Sequence, residues 1–314
     1  MKDASGFAAV IPGHTMRWMR GGDLVCICCH SALTGSETSL HCNACGAAFP
    51  LVGDVPIVLP EALTTQQRTQ RRYFDAEFAA YDRYKPEAWR RSYISRIFSA
   101  LGVDAGRGPY LDLGVGGSGA TVIEAARLGV TASGCDLSVE AVLRASAFAR
   151  DEGVHERARF VACAAESLPF RDGSFACASA VAVLEHLDDD AAAVSELRRV
   201  IEPGGLLWIT VPLAFRYVPP PLWPFYWRHD RKLGHKRHYD ERSLARLLGF
   251  FGFKRMTTMY TGHPVKLIQL VAGRILSESS RYGSRLWWLL ERADLRATKR
   301  PWGALQLTAV FVRT

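Results

Sequence analysis

The sequence predicts an α/β fold in which a largely parallel sheet carries helices on both faces and follows a small cysteine-rich unit. Two observations predict the sheet. Residues 110–120 have the sequence YLDLGVGGSGA, an apolar run followed by a glycine-rich turn, and a second apolar run ends at Asp136 after a helical stretch. A third observation predicts the extra unit, because five of the 8 cysteines lie between residues 26 and 45.

The glycine-rich turn has the form of a nucleotide-cofactor loop. The strand before it is predicted to end near Leu113, where Gly114 and Gly116 let the backbone turn closely against a ligand. The next helix, roughly Thr121 to Leu128, then begins beside the cofactor. Asp112 precedes the first glycine and would repel a phosphate, unlike the pattern of pyrophosphate-binding loops. The turn therefore favours a cationic cofactor.

The second strand supplies another acid in a position suited to a nucleoside. Asp136 follows the turn by about 20 residues, the spacing at which a carboxylate accepts hydrogen bonds from ribose hydroxyls. Leu137 would then pack on the adenine. The alternative is an ordinary α/β turn with two surface acids, which the strand and helix patterns on both sides disfavour.

Length and composition are those of a folded protein with one sizeable core and an appendage: 314 residues, 48% hydrophobic and 22% charged. No apolar run approaches the roughly 18 residues of a membrane span, and the first residues lack the charged-then-apolar layout of a secretory signal. We therefore expect a cytoplasmic protein, whose reduced cysteines serve as metal ligands or small core residues.

The clustered cysteines form two CxxC pairs, Cys26 with Cys29 and Cys42 with Cys45, separated by 12 residues. A hairpin of this length brings four thiolates into a tetrahedron, so the spacing predicts a structural zinc in a closed site. Cys28 is left over. His30 and His41 flank the pairs, so a mixed ligand set is the second interpretation.

Residues 22–60 resemble the small zinc-ribbon protein that activates tRNA and protein methyltransferases. The likeness includes its terminal run, matched loosely by Phe49, Pro50, Gly53, Asp54, Pro56 and Leu59. Residues 1–60 hold three basic side chains against four acids, which is a poor surface for phosphates. A scaffold or docking role is therefore favoured over nucleic-acid binding.

Residues 63–108 are predicted to be a linker with two helices broken near Pro86. Phe74, Phe78 and Tyr81 fall at helical spacing. Tyr93, Ile97 and Leu101 repeat the pattern in the second helix.

The order of the segments LDLG, GCDLS, AAESLPF, AVLEHL and RRVIEPGG resembles the class I S-adenosylmethionine-dependent methyltransferases, in particular the subgroup of ubiquinone and menaquinone biosynthesis. The resemblance covers roughly residues 70–255 and implies a Rossmann-like sheet, covering helices from residues 63–108, and S-adenosylmethionine as cofactor. The implied cofactor contacts are Asp112, Gly114, Gly116, Asp136, Leu137, Ala165, Glu166 and Ala180.

Three departures from the family pattern concern the grip on the cofactor. Ser118 replaces the third glycine, Ala164 stands where the family has an Asp for the adenine amine, and Ala176 replaces another Asp. A lost hydrogen bond costs about 1 kcal/mol, which predicts weaker affinity, and Glu166 is a substitute acceptor. A non-catalytic cofactor-binding scaffold is therefore a competing class.

Candidate catalytic residues follow the fourth strand and lie in the segment after it. Glu185 and His186 are placed where ligands bind in open α/β sheets, either as a base or as a structural cap of the strand. The run GHKRHY resembles the GH.R.Y lid motif of methyltransferases of glycolipids and other small molecules. That likeness directs His235, His238 and Tyr239 to the pocket, on a lid of residues 213–240; the alternative is a solvated basic loop.

The predicted domains are a zinc ribbon at 1–62, the linker helices, and the methyltransferase domain at 109–314 with a helical insert at 262–302. Residues 214–255 contain ten Lys or Arg and three acids, nearly all of the chain's net charge of +8. Aromatic residues lie among them. Both features favour an anionic small-molecule or lipid-linked acceptor, with peripheral contact at the inner membrane face left open; RNA methylation is the rival. The oligomeric state is not predicted.

Overall fold

The protein is described here by a computed structural model covering residues 24–36, 38–84, 86, 88–263 and 297–314, with residues 88 and 89 given by backbone alone. Its strands are β1 (Leu33–Gly35), β2 (Ser39–Cys42), β3 (Ala48–Val52), β4 (Val55–Val58), β5 (Tyr110–Leu113), β6 (Ala132–Asp136), β7 (Ala158–Cys163), β8 (Phe175–Val181), β9 (Ile201–Pro212), β10 (Phe253–Thr261) and β11 (Gln306–Arg313). Its helices are α1 (Thr65–Phe78), α2 (Ala88–Leu101), α3 (Ala120–Arg127), α4 (Val139–Asp151), α5 (Asp190–Val200), α6 (Trp223–Leu233) and α7 (Glu241–Phe250).

Within the described residues the strands form one sheet in the order β1-β2-β3-β4-β7-β6-β5-β8-β9-β11-β10. The pairs from β4 through β9 are parallel, and β11 and β10 are antiparallel additions. The chain winds outward from β5 in one direction and from β8 in the other. Ligands of open α/β sheets bind at such a reversal, beyond the carboxyl ends of the strands. The ends of β5 and β8 therefore mark the candidate site.

Both faces of the parallel strands are buried, as their nearly continuous apolar sequences predict. Tyr110 of β5 packs in the core beneath α2, α3 and α4, whereas its neighbour Leu111 packs in the opposite core with α5 and α7. Alternate residues of a strand point to opposite faces. The predicted α/β fold with helices on both faces is confirmed.

The helices follow the sequence signals closely. Two helices flank Pro86 as predicted, and Thr64 begins α1 with a capping box shared with Gln67. Ser138 caps α4 by accepting a hydrogen bond from the amide of Ala141 at 3.1 Å. These caps fix the starts of two helices that border the candidate site.

The cysteine-rich unit is joined to the main sheet through β4. Strands β1 to β4 are antiparallel neighbours, and Ile57 and Val58 of β4 pair in parallel with Ala162 and Cys163 of β7. An isolated bridge also joins Leu24 to Phe170. The predicted domain boundary after residue 62 thus comes after β4, which is a strand of the central sheet. β4 covers the edge that β7 would otherwise expose.

The segment predicted as a lid, residues 213–240, returns to the sheet at both ends. A parallel bridge joins Leu213 to Tyr239, and two 3₁₀ turns at Phe215–Tyr217 and Pro220–Leu222 precede α6. The prolines at 219–221 thus lie before the regular helix. The predicted insert at 262–302 falls largely on residues outside those described. The strand expected after it is β11, which joins the sheet between β9 and β10, so that β10 and not β11 is at the edge.

Candidate functional site

The glycine turn after β5 has a backbone that side chains would disturb. Gly114 has φ +75°, and a Cβ there would lie 2.4 Å from a methyl of Val183. Gly116 has φ +63°, and its N–H donates to Oδ2 of Asp136 at 3.0 Å. The left-handed conformation explains both glycines, and the close approach of Val183 is a second reason for glycine at position 114.

Asp136 is held rigidly at the end of β6. Its Oδ1 accepts a hydrogen bond from the amide of Ser138 at 2.9 Å, in addition to the bond from Gly116. Burial raises the pKa of this carboxyl to about 6, although those two amide bonds oppose the rise. A ligand that donates hydrogen bonds to the carboxylate would therefore stabilise its ionised form.

Asp112 lies beneath the turn and outside the lining of the cavity described next. It is 4% exposed, and the hydroxyls of Thr121 and Ser179 donate to its carboxylate. Tyr110 joins the network through Ser179 at 2.5 Å. Burial raises the pKa of Asp112 to about 6. In this position its side chain ties β5, β8 and α3 together below the glycines.

A first cavity of about 240 Å³ opens above the turn. Of the residues predicted to contact a cofactor, it is lined by Gly114, Gly116, Asp136, Leu137, Ala165 and Glu166. Ala180 lies in the core, 1% exposed, and the two residues after it line the cavity instead: Val181, the last residue of β8, and Ala182 just beyond the strand. Ala164 also lines it, beside Glu166, whose Oε2 accepts from Nε2 of Gln67 at 3.2 Å.

Helix α1 covers the first cavity with a polar and an aromatic stripe. Gln67, Gln70, Arg71, Phe74 and Phe78 all line it. The rings of Phe74 and Phe78 stack with centroids 5.6 Å apart. The helical spacing of these residues is visible in the sequence, yet only the docking of α1 shows that the stripe faces a cavity.

A second cavity of about 490 Å³ adjoins the first. The two share three lining residues, Phe74, Ala182 and His186. Other lining residues of the second cavity are Glu185, Pro212, Tyr226, His229, Leu233, His235, Leu305 and Gln306. Ala182 adopts φ 56°, a conformation uncommon for alanine and frequent at ligand sites. Two cavities large enough for small molecules therefore share one wall.

Glu185 and His186 lie on a 3₁₀ turn, Leu184–His186, at the carboxyl end of β8, as predicted. Glu185 is buried, at 1% exposure. Burial, with a contribution from His235, lowers the pKa of His186 to about 4, so its ring is neutral near pH 7. The ring meets those of Phe74 and His235 edge-on at 5.6 and 4.8 Å.

His235 is oriented by an acid that the sequence analysis missed. Its Nδ1 lies 2.6 Å from Oδ1 of Asp230, and Nε2 of His238 lies 2.9 Å from the same oxygen. Although burial opposes the change, these bonds lower the pKa of Asp230 to about 2. Asp230 is an acid within a strongly basic segment, five and eight residues before the two histidines, and this is the signal that could have identified it.

Tyr239 does not line either cavity. Its hydroxyl donates to Asp190 at 2.6 Å, and its backbone pairs with Pro212 and Ala214. Burial and Asp190 raise the pKa of this phenol. In the structure Tyr239 fixes the end of the 213–240 segment against α5.

The four cysteines of the CxxC pairs come together. The four sulfur atoms, from Cys26, Cys29, Cys42 and Cys45, all lie within 4.8 Å of one another. The Sγ–Sγ distance is 3.6 Å between Cys26 and Cys45 and 3.4 Å between Cys29 and Cys42. Among the described residues this group includes neither His30 nor His41, so the geometry does not favour the mixed set. Cys28 is exposed and outside the group.

Residues 111–209 match the family described as a methyltransferase domain. Norajmaline N-methyltransferase of Rauvolfia serpentina is 29% identical over 156 residues, 50% of this chain and 52% of its own length. The chain spans about half the length of the curated relatives it matches. The matched residues include the glycine turn after β5 and Asp136 at the end of β6.

Solved structures show the same fold at lower identity. Geranyl diphosphate C-methyltransferase of Streptomyces coelicolor A3(2), in complex with Mg²⁺, geranyl diphosphate and S-adenosylhomocysteine, superposes with TM-score 0.60 at 17% identity, over 81% of this chain and 100% of its own. The cyclase SpnF gives TM-score 0.55 at 21% identity over 80% and 97%. A cyclase is among them, so the fold alone does not fix the reaction.

No helix in the described part of the chain has both the length and the apolar sequence that crossing a bilayer requires.

Proposed function

We propose that the protein transfers the methyl group of S-adenosylmethionine to a small-molecule or lipid-linked acceptor bound in the second cavity. The observation that carries this proposal is the wall shared by the two cavities at Phe74, Ala182 and His186. A donor in the first cavity and an acceptor in the second would meet there. Holding the two in line supplies much of the rate of a displacement reaction.

The first cavity suits the donor in its details. Asp136 would accept hydrogen bonds from the ribose hydroxyls, Leu137 would contact the adenine, and Glu166 would accept from its amine in place of an acid at Ala164. The attacking atom of the acceptor forms a bond to the methyl carbon as the carbon–sulfur bond breaks, which leaves S-adenosylhomocysteine as a neutral thioether.

The second cavity suits proton removal from the acceptor. His235 carries a carboxylate partner, Asp230, at Nδ1, an arrangement that fixes the orientation of the ring. His186 is neutral and lies at the shared wall, where it can contact the attacking group. His235 is therefore the stronger candidate base.

Incubation with methyl-labelled S-adenosylmethionine and fractionated cell extract tests the proposal. Label should enter a small-molecule or lipid fraction, and His235→Ala should reduce it at least tenfold while binding S-adenosylhomocysteine normally. Cofactor binding detected by calorimetry without transfer of label to any fraction would support the scaffold alternative. Label recovered in RNA, with affinity falling steeply as salt rises, would support the RNA alternative.

The acceptor is proposed to be an amphipathic anion presented at a membrane surface, because of the surface of α6. Trp223, Phe225 and Trp227 are 45%, 47% and 53% exposed, and the guanidinium of Arg231 lies 4.6 Å from the Trp227 ring centre. Exposed aromatic and basic side chains on one short helix fit an anionic lipid interface. Four other cations of the basic segment are paired with acids: Arg216, Lys236, Arg237 and Arg255.

Sedimentation with vesicles tests this surface. Vesicles containing phosphatidylserine should bind the parent more strongly than neutral vesicles, and Trp223→Ala with Trp227→Ala should remove most of the binding. Phe250→Ala is the matched control, since Phe250 is 84% exposed on α7. Equal binding of the parent and the double variant would contradict the proposal.

The cysteine group is proposed to hold a structural zinc. A tetrahedral site with bonds of about 2.3 Å has sulfur–sulfur edges of roughly 3.8 Å, close to the distances observed. The amide of Cys28 donates to Sγ of Cys26 at 3.4 Å, a bond that suits a thiolate. Elemental analysis of protein purified without chelator should find one more zinc per chain in the parent than in the Cys42→Ser Cys45→Ser variant; equal zinc contents would contradict the site.

A further inference from the structure

Three side chains that line the second cavity have the geometry of a metal site, and one of them, His186, also lines the first cavity. One ligand atom from each of Glu185, His186 and His235 lies within 4.8 Å of the other two. Two segments far apart in sequence supply them, the 3₁₀ turn after β8 and the loop after α6. Ligand atoms around a tetrahedral zinc with bonds of about 2.0–2.2 Å are roughly 3.4 Å apart. Small side-chain movements therefore bring all three to one ion.

Asp230 supports His235 in the way that carboxylates support metal-binding histidines. It engages Nδ1 of His235 at 2.6 Å, which leaves Nε2 as the metal-binding nitrogen. A second hydrogen bond, between Nε2 of His238 and the same carboxylate oxygen, fixes Asp230 itself. Histidine ligands usually donate their other ring N–H to a carboxylate, carbonyl or water, which sets the tautomer and the ring orientation. Asp230 is therefore a positioning residue.

The surroundings of the three side chains favour occupation by a cation. Glu185 is 1% exposed, and Leu233 and Leu305 give the cavity apolar walls. Nδ1 of His186 is buried without a hydrogen-bond partner among the described residues. Burying a polar atom without a partner costs about 1–3 kcal/mol. A metal ion bound by the His186 ring would offset this cost.

We propose that Glu185, His186 and His235 bind a divalent transition-metal ion, with zinc as the best match, whose open positions face the second cavity. Two histidines and one carboxylate are the ligand set of catalytic zinc sites and of non-haem iron(II) sites, both of which leave positions for other ligands. Oxygen atoms of the acceptor would occupy these positions. In the zinc-bound form Nε2 of His235 would be a ligand and not a base, and the ion itself would favour loss of the acceptor's proton. The role of the ion toward the acceptor rests on the proposed methyl transfer, whereas its binding does not.

Metal content of the full-length chain, purified without chelator or a histidine tag and equilibrated with Zn²⁺, tests the site. The Cys42→Ser Cys45→Ser variant should retain one zinc per chain, and adding His186→Ala to it should remove that zinc. Asp230→Asn should weaken zinc affinity about 10–100-fold. His229→Ala is the matched control, because His229 lines the same cavity outside the three-residue group, and it should retain the zinc.

Cobalt(II) provides a second readout, because thiolate ligands give strong charge-transfer absorbance that nitrogen and oxygen ligands lack. Cobalt bound to the cysteine variant should show only weak visible bands, and these should vanish in Glu185→Gln. The proposal would be overturned by a Cys42→Ser Cys45→Ser variant that contains no zinc. It would also be overturned if that variant kept its zinc after His186→Ala was added. S-adenosylhomocysteine binding measured on the same samples separates a lost fold or a failed methyltransferase proposal from a failed metal site.

Discussion

Asp136→Asn should stabilise the cofactor-free protein while weakening its binding of S-adenosylhomocysteine. Burial raises the pKa of Asp136 from 3.8 to about 6, so its contribution to stability is present below pH 3.8 and is lost as pH rises through 6. At pH 7.5 the folded protein therefore carries a disfavoured carboxylate. About two pKa units correspond to roughly 3 kcal/mol, and the variant loses roughly 1 kcal/mol because an amide accepts only one of the two N–H bonds.

The net gain of about 2 kcal/mol should raise Tm by roughly 4–8 °C at pH 7.5, measured by thermal unfolding without ligand. At pH 4.5 the parent's Asp136 is protonated when folded, so the difference should shrink. Saturating S-adenosylhomocysteine should raise the parent's Tm, and the variant should lose about 100-fold or more in affinity, since each ribose hydrogen bond to a carboxylate contributes about 1.5–3 kcal/mol.

Asp172→Asn is the control for removing a negative charge, because Asp172 is 78% exposed, lines neither cavity and loses only a surface ion pair with Arg199. This variant should change neither the free energy of unfolding nor the free energy of S-adenosylhomocysteine binding by more than about 0.5 kcal/mol. The reasoning would be refuted by an Asp136→Asn protein that is less stable than the parent at pH 7.5 without ligand, or that gains as much Tm from the ligand as the parent does.

Three further predictions concern the same region. Binding of S-adenosylhomocysteine should weaken as pH falls below about 6, because Asp136 must be ionised to accept the ribose hydroxyls; calorimetry at pH 6 in two buffers of different ionisation enthalpy should detect proton release, and equal heats would contradict it. Ala164→Asp should bind this ligand about tenfold more tightly if the adenine lies beside Glu166, whereas unchanged or weaker binding would count against that placement. Tyr239→Phe should lower the free energy of unfolding by about 1–2 kcal/mol in urea, since Asp190 loses a buried donor, and should leave affinity for the ligand unchanged; a loss of affinity at unchanged stability would place Tyr239 in the site.

The features predicted correctly from the sequence are those whose cause is local. Gly114 and Gly116 are required by a turn of a few residues, and the cysteine pairs are brought together by one hairpin. The covering helix α1 was expected from its periodicity. Short-range chemistry of this kind is present in the sequence itself.

The features that the sequence did not show depend on side-chain direction. Asp112 and Asp136 both end predicted strands beside the turn, yet Asp136 lines the cavity and Asp112 bonds to Ser179 beneath it. Ala180 lies in the core, whereas Ala182, two residues later and beyond the strand's end, lines both cavities. Which side chain faces a ligand depends on strand register and on the bend at the strand's end.

The sequence by itself determined the α/β fold, the glycine turn after β5 and the acid at the end of the second strand, because each of these is encoded by neighbouring residues. Only the tertiary structure decided that His186 and His235 meet, that Asp230 orients His235, and that β4 extends the central sheet. These contacts join segments far apart in the chain. Their formation depends on how helices and strands pack around a shared core, and no spacing in the sequence specifies that packing.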